Sequence, residues 1–430
     1  MREHLIKPLL EHRYVEVSYG KGAYLYDTSG KRYIDGSSGA ITAAIGHGVE
    51  EVVQAMIKQA RKVAFVYRSQ FTNEAAELLA KKLSEISPGD LNWSFFVNSG
   101  TEATETAMKI AIQHFQEKGF PGKHKILSRW MSYHGITIGA LSMSGHPLRR
   151  QRFTALLEDY PSVSPPYCFR CPFRLEYPSC QLACATELET AIERIGAEHI
   201  AAFIAEPIVG AAGGAITPVK EYYKIIKEIC ERHDILLIAD EVMTGLGRTG
   251  KWFAMEHWEV QPDIVALGKG LTAGYTPMAA VLVSDRVMEP ILNGSKSIMA
   301  GHTFSANPLS AAVSLAVVEY IEKHNLVQAA KNKGMYLLEK LKDLQKRSSL
   351  ILDVRGKGLL LGVELRCVNT FLIQAAMKNG LLLYPAVAGP SGKNETALLI
   401  APPLTISYDE LNELLVILEK SIGEVEEDHT

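Results

Sequence analysis

No uninterrupted apolar stretch in the 430 residues is long enough to cross a bilayer. No charge of one sign dominates either: the formal net charge is -3, which gives no reason to expect nucleic acid or an anionic membrane as partner. There is no internal repeat. The opening residues, MREHLIKPLL, mix charges with apolar side chains and lack the hydrophobic core of a signal peptide. A soluble, cytoplasmic protein is expected. Cysteine is scarce, six in all, yet four crowd a loop rich in proline and aromatics as Cys168-x2-Cys171-x8-Cys180-x3-Cys184. Such spacing can hold a structural zinc through four thiolates. Reduced, partly buried thiols in a loop insertion are the preferred reading, so no metal is expected.

What is present is an ordinary apolar share, 47%, over a length that fits a large α/β domain plus a smaller one. Residues 1–50 read as strands and turns, with 22–27 and 32–35 pairing as a hairpin. The small residues of 37–48 permit close approach of backbone to a neighbour or ligand, with a flexible connector as the alternative. Helical periodicity begins at Val49 and returns at 73–85, 187–195, 220–233 and 309–321. Short apolar strands are expected at 93–97, 125–128, 200–205, 235–239, 264–267 and 278–283. Near Asn325 the character changes to a charged amphipathic helix reaching about residue 347. A turn and strand follow at 353–364, then a helix at 370–379, strands near 381–384 and 397–401, and a last helix from Tyr408. The acidic tail from Glu424 is expected to fray.

The chain is organised around residues 235–270. Two apolar runs there, 235–239 and 264–267, have the length of buried parallel strands. The first delivers Asp240 and Glu241, the second Lys269 between two glycines. Ligands of an open parallel sheet sit outside the carboxyl ends of its strands, so an acid and an amine are carried to one edge. The strand at 93–97 leads to Ser99-Gly100-Thr101-Glu102, which reads as a capping box. The helix expected from Ala103 then offers free N–H groups to a phosphate, or is simply an ordinary capped helix. Tyr133 and His134 stand in a loop after the strand at 125–128, where they can stack on a flat ring or lie on plain surface. Glu206 ends the strand at 200–205, as a functional acid or as a residue guiding the chain into the next helix.

Gly245-Leu-Gly247-Arg-Thr-Gly250 follows a strand and matches the dinucleotide fingerprint G-x-G-x-x-G. The context is wrong. Asp240 and Glu241 stand between strand and glycines, where a pyrophosphate would meet two negative charges. The constellation fits pyridoxal phosphate instead. That cofactor needs an amine for its Schiff base, and Lys269 serves if burial favours its neutral form. It needs an acid at the pyridine nitrogen, because a protonated ring is the better electron sink, and Asp240 serves. Gly100, Thr101 and the N–H groups that follow offer an anion site, and Tyr133 an aromatic cover.

The motifs FVNSGTEATETAMKIA, YHG, AEP, ILLIADEVMTGLGRTG, DIVALGKGL, GHTFSANPLS and RGKGLLLGVEL together resemble the class III aminotransferases of pyridoxal phosphate fold type I, over nearly the whole length. The resemblance implies a large domain, here 51–324, around a mostly parallel seven-stranded sheet. It implies a smaller α+β domain made from both termini, residues 1–50 and 325–430. It implies a homodimer with shared active sites. By similarity Lys269 is the Schiff-base lysine and Asp240 the partner of the pyridine nitrogen. Ser99, Gly100 and Thr101 match the phosphate loop, Tyr133 with His134 the stacking segment, and Val242 the apolar contact on the opposite ring face. Glu206 matches the glutamate that trades partners with a substrate-binding arginine in related members, with a cofactor-side contact as its other role, and Thr303 the threonine that reaches the phosphate across the dimer.

Two departures bear on substrate. Many members read D-E-V-Q-T-G, with the glutamine contacting the ring hydroxyl; here Met243 stands there, and a thioether cannot donate that bond. Members acting on 4-aminobutyrate or acetylornithine place a carboxylate-binding arginine four residues before the proline of P-L-x-I. Aligned on Pro403-Leu-Thr-Ile406, that position is Leu399. The expected reaction is therefore a two-step amino transfer through Lys269, from a primary amine or ω-amino acid to a keto acid, pyruvate by family analogy. The alternatives are the aminotransferase of biotin synthesis, an acetylornithine or 4-aminobutyrate type, or an aminomutase or decarboxylase. A noncatalytic zinc-binding scaffold is the reading from another class.

Overall fold

A computed structural model describes residues 4–389 and 391–428. At its centre is a seven-stranded sheet in the order Trp93–Val97, Ala279–Val283, Ile264–Leu267, Leu236–Asp240, Ile200–Ala205, Lys125–Arg129, Pro161–Val163. Ala279–Val283 runs antiparallel to both neighbours; the pairings from Ile264–Leu267 outward are parallel. The fold is thus the expected α/β class with a mostly parallel sheet. Its central strands are near-continuous apolar runs because they are buried on both faces. Leu237 and Ala239 enter one apolar layer, Leu236 and Ile238 the other, as the period-2 geometry of a strand requires. The helix Tyr222–Arg232 covers the first layer with Tyr222, Tyr223 and Ile226, and Gly100–Glu117 covers the second with Ala103, Ala107 and Ile110.

Register fixes what happens at the carboxyl edge. Ala205 pairs with Ala239, and Asp240 with Ala266. Glu206, Asp240 and the Gly268–Lys269 turn therefore leave the sheet at adjacent positions. Two smaller sheets complete the fold. Val17–Lys21, Tyr24–Asp27 and Arg32–Asp35 form an antiparallel ribbon that Leu381–Leu382 joins in parallel, so early and late chain meet in one sheet. Ile351–Lys357, Leu360–Leu365, Asn394–Ile400 and Tyr384–Ala388 form an antiparallel sheet.

Several expected boundaries shift. The segment read as a turn and one strand at 353–364 is two strands, Ile351–Lys357 and Leu360–Leu365, joined through Gly358 at φ +54°. The helix expected from Ala103 begins at Gly100, and that expected from residue 187 begins at Ala183. The tail does not fray from Glu424: the last helix is Tyr408–Asp428, and Val425 is buried in the core. Residues 37–48 are no flexible connector, since Ser38 and Ile41 are buried and the Ser38 hydroxyl donates to the Ala401 carbonyl at 2.7 Å. The first three residues of the N-terminal segment and the last two of the tail lie outside the described residues. Among the described residues no helix is long and apolar enough to cross a membrane.

Candidate active site

A cavity of about 180 Å³ opens at the carboxyl edge of the large sheet, lined by Gly100, Thr101, Tyr133, His134, Gly135, Glu206, Asp240, Val242, Met243 and Lys269. Eight of the ten residues singled out from sequence for the cofactor meet in it. Ser99 and Thr303 do not line it; both are exposed. Ser99 is the N-cap of Gly100–Glu117, and its hydroxyl accepts from the Glu102 N–H at 3.3 Å. The reciprocal half of the capping box is offset by one residue: Glu102 Oε2 accepts from the Asn98 N–H at 2.7 Å. The first intrahelical bond runs from the Ala103 N–H to the Ser99 carbonyl. The N–H groups of Gly100 and Thr101 lie ahead of it, at the positive end of the helix.

Two glycines bring walls close. A Cβ on Gly100 would stand 2.7 Å from Val242 Cγ1, and one on Gly135, at φ +136°, 1.9 Å from Thr101 Oγ1. Thr101 Oγ1 also accepts from the Ile136 N–H at 2.9 Å, which ties the phosphate-loop candidate to the loop carrying Tyr133.

Asp240 is 4% exposed. Its Oδ1 accepts from the Val242 N–H at 3.1 Å and its Oδ2 meets His134 Nδ1 at 2.7 Å. His134, read from sequence as a second stacking ring, is thus committed to Asp240 and orients it. Its backbone is held as well, by Ser144 Oγ at 2.7 Å and Thr104 Oγ1 at 2.6 Å. Tyr133, the first half of that pair, stays at the cavity wall, half-buried, and burial pushes its phenol above the usual range.

Lys269 occupies a short turn after Ile264–Leu267 with φ +40°, a left-handed conformation uncommon outside glycine. It is half-buried and lines the cavity. Desolvation holds its amine below the usual lysine range, and the carboxylates of Asp240 and Glu206 offset part of that effect. An amine so held presents more of its neutral, nucleophilic form. Glu206 is anchored at both oxygens, by the Tyr133 N–H and the Gly210 N–H, each at 3.0 Å. Burial raises its pKa, with His134 pulling the other way. Its position braces the Tyr133 loop.

Glu241, one residue from Asp240, points away from the cavity and accepts from Thr244 Oγ1 at 2.6 Å and from the Ala254 and Met255 N–H groups at 2.9 Å each. The glycine-rich run at 245–250 likewise serves packing. Arg248 donates to the carbonyls of Leu359 and Pro402, and a Cβ on Gly250 would stand 2.8 Å from Lys331 Cβ.

Met243 lines the cavity and packs on Gly210, whose Cβ would stand 2.3 Å from the Met243 sulfur. Leu399 is fully buried in the strand Asn394–Ile400, directly opposite Tyr384. Sequence reasoning missed Arg149, in the short helix Pro147–Arg150, whose guanidinium lies 4.5 Å from the centre of the Tyr133 ring. No periodicity or motif marks it, because only tertiary structure brings it to the Tyr133 ring. Cys168, Cys171, Cys180 and Cys184 are free and line one small apolar pocket. Among the described residues no group of three or more histidine, cysteine or acidic side chains is arranged to hold a metal ion. The loop is anchored elsewhere, through Arg170 Nε to Glu364 at 2.6 Å and through the Tyr167 hydroxyl to the same carboxylate.

The donor set fits a flat anionic heterocycle: one buried carboxylate, one desolvated amine, a helix N-terminus, an aromatic wall and an apolar wall. Residues 9–422 match the family described as aminotransferase class III. The chain is 52% identical to a Bacillus subtilis (strain 168) protein named as the uncharacterized aminotransferase YodT, over 99% of each chain. It is 37% identical to the adenosylmethionine-8-amino-7-oxononanoate aminotransferase of Geobacter sulfurreducens, over 96% of this chain and 92% of that one. It superposes with a TM-score of 0.92 on a thermostable (S)-enantioselective omega-transaminase from Thermomicrobium roseum, at 36% identity, covering 98% of this chain and 96% of that one.

Proposed function

Since the chain belongs to the class III aminotransferases, which work with pyridoxal 5'-phosphate, we propose that it moves an amino group from a primary amine or ω-amino acid to a keto acid, pyruvate first among them, in two half-reactions. The observation that carries this reading is the meeting of Lys269 and Asp240 in one cavity, opposite the N-terminus of Gly100–Glu117. When bound, the cofactor supplies an electron sink for the carbanion formed at the substrate carbon.

The residues then divide the work. Lys269 would hold the cofactor covalently at rest and, once displaced by the donor amine, would carry a proton between the substrate carbon and the cofactor as general base and acid. Its lowered pKa suits that task. Asp240 keeps the pyridine nitrogen protonated, and His134 fixes its orientation at 2.7 Å. The N–H groups of Gly100 and Thr101, with the Thr101 hydroxyl, hold the phosphate. Tyr133 and Val242, which line the cavity, would supply an aromatic and an apolar wall for the ring. Ser99 acts through the helix cap, and Glu206 through the Tyr133 loop.

The assembly is a homodimer whose sites are shared. Thr303 is exposed and away from the cavity of its own chain, which suits a side chain that serves the partner's phosphate.

Amine and ω-amino acid donors are favoured because the position aligned with the carboxylate-binding arginine is Leu399, fully buried. A second reading, donation by S-adenosylmethionine, rests on the similarity to the Geobacter sulfurreducens enzyme. The test is a donor screen against pyruvate and 2-oxoglutarate that includes S-adenosylmethionine, following cofactor absorbance in each half-reaction. Conversion by simple amines supports the first reading. Conversion by S-adenosylmethionine alone selects the second, and no conversion by any donor refutes both.

A further inference from the structure

A keto acid carries a carboxylate beside its reacting carbon. Entering a closed cavity, that carboxylate loses water and needs a cation or several donors in return. The cavity itself supplies little. Asp240 and Glu206 have the wrong sign, and Lys269 is engaged in the chemistry. The place where related enzymes carry an arginine is apolar here. Leu399 sits opposite Tyr384 across the strand pair, so the two side chains share a face. Tyr384 in turn lies within electrostatic reach of Tyr133. The strand pair that lacks the charge is thus one whose Tyr384 acts electrostatically on Tyr133.

Most nearby arginines are already committed. Arg129 donates to the Glu206 carbonyl at 2.6 Å, and Arg355 to Asp353 and Glu364 at 2.6 and 2.9 Å. Arg150 donates to the carbonyls of Leu141, Ser142 and Ser144 at 2.8 to 2.9 Å. Arg149 differs. It is half-buried, pairs with no carboxylate among the described residues, and meets the Tyr133 side chain by a hydrogen bond and with its guanidinium 4.5 Å from the ring centre. Its neighbour Arg150 pins the turn through those three carbonyls, so the Arg149 backbone is fixed before any ligand arrives. Its charge is also felt at Lys269, where it opposes protonation.

We propose that Arg149 is the carboxylate-binding residue of this enzyme, receiving the keto acid at the rim of the cavity beside Tyr133, in place of the arginine absent at Leu399. The assignment rests on the aminotransferase reading for the identity of the ligand, but its binding test does not depend on turnover. Planarity and paired N–H donors suit a guanidinium to this task. The bland alternative is an arginine that merely packs on an aromatic ring.

The experiment compares wild type with Arg149→Gln and Arg149→Lys in the cofactor-loaded enzyme. Propanoate, an unreactive carboxylate, is titrated and read by calorimetry and by cofactor absorbance. Separately, kcat/KM is measured for pyruvate and for butanal, an acceptor with no carboxylate. The Gln variant should weaken propanoate binding by about 10- to 100-fold, the weight of a charge-assisted hydrogen bond, with partial recovery in the Lys variant. The pyruvate kcat/KM should fall at least about tenfold further than that for butanal. Equal losses for both acceptors would mean a structural role through Tyr133 and would overturn the assignment. So would propanoate binding that is absent in wild type or indifferent to the substitution. If no donor is converted by any form, the reaction proposed above fails, while the propanoate titration still decides the role of Arg149.

Discussion

The two sides of the cavity are built differently. At the edge of the large sheet the charged groups are held by backbone: Asp240 by the Val242 N–H, with His134 as a side-chain partner, Glu206 by the Tyr133 and Gly210 N–H groups, and Lys269 by its left-handed conformation in a turn. In the C-terminal sheet the position aligned with the carboxylate-binding arginine is Leu399, buried and apolar, and the arginine that rests on Tyr133 comes from a short helix elsewhere in the chain. The sheet side serves a cofactor that never changes, so its geometry can be set by strand register. In the proposed reaction the substrate carboxylate meets a group supplied from outside the sheet, on the short helix Pro147–Arg150, which can vary without disturbing the strands.

The largest expected effect falls on the sheet side. Lys269→Ala should lower turnover by at least about a thousandfold, the upper range for loss of a proton-transferring group, with circular dichroism unchanged. Turnover near that of wild type would remove the contrast between the two sides. Asp240→Asn should come next, at about a hundredfold in kcat/KM, because the ring loses its charged partner. His134→Ala acts one step removed and should cost about tenfold, seen in both cofactor affinity and kcat/KM. On the substrate side, Leu399→Arg should not create a 4-aminobutyrate enzyme. It places an unpaired charge in a fully buried position and should destabilise the fold by about 3 to 5 kcal/mol, measured by denaturant titration. A stable variant that turns over 4-aminobutyrate would show that the two sides are interchangeable after all.

The smallest effect concerns Glu241, which shares a strand end with Asp240 and none of its chemistry. Burial pushes its carboxyl up from 4.5 to about 7, with Thr244 and the Ala254 and Met255 N–H groups pulling it back down. The folded chain therefore keeps a proton that the unfolded chain releases. The stability tied to that proton is fully present below pH 4.5 and is lost as pH rises to about 7. Glu241→Gln keeps an acceptor oxygen and removes the titration, so the melting temperature should change less with pH across that range. An unchanged slope would mean the carboxyl is ionised throughout.

The same division governs what the sequence discloses. Asp240, Lys269 and Glu206 are legible because each follows a short apolar run, and a parallel sheet carries all such ends to one edge. Ser99 to Glu102 announces a helix start, though not that Glu102 would reach Asn98 in place of Ser99. The dinucleotide-like glycines at 245–250 are discounted from sequence by Asp240 and Glu241 before them, and the structure adds their use in close packing, which asks for the same residue as phosphate binding. The tail shows the opposite failure. Its acidic composition suggests fraying, but Val425 has a place in the core. Arg149 is beyond sequence reasoning altogether. It stands in a positively charged run, HPLRRQRF, and nothing there says which arginine turns to the carbonyls and which to Tyr133.

The central claim is that one amine, at position 269, faces the Asp240 carboxylate across a single bound heterocycle. Borohydride reduction of the cofactor-loaded enzyme, followed by peptide mass spectrometry, tests it most directly. The account predicts one phosphopyridoxyl group per chain, on Lys269. A label on any other lysine, or none on a yellow protein that borohydride bleaches, would contradict it.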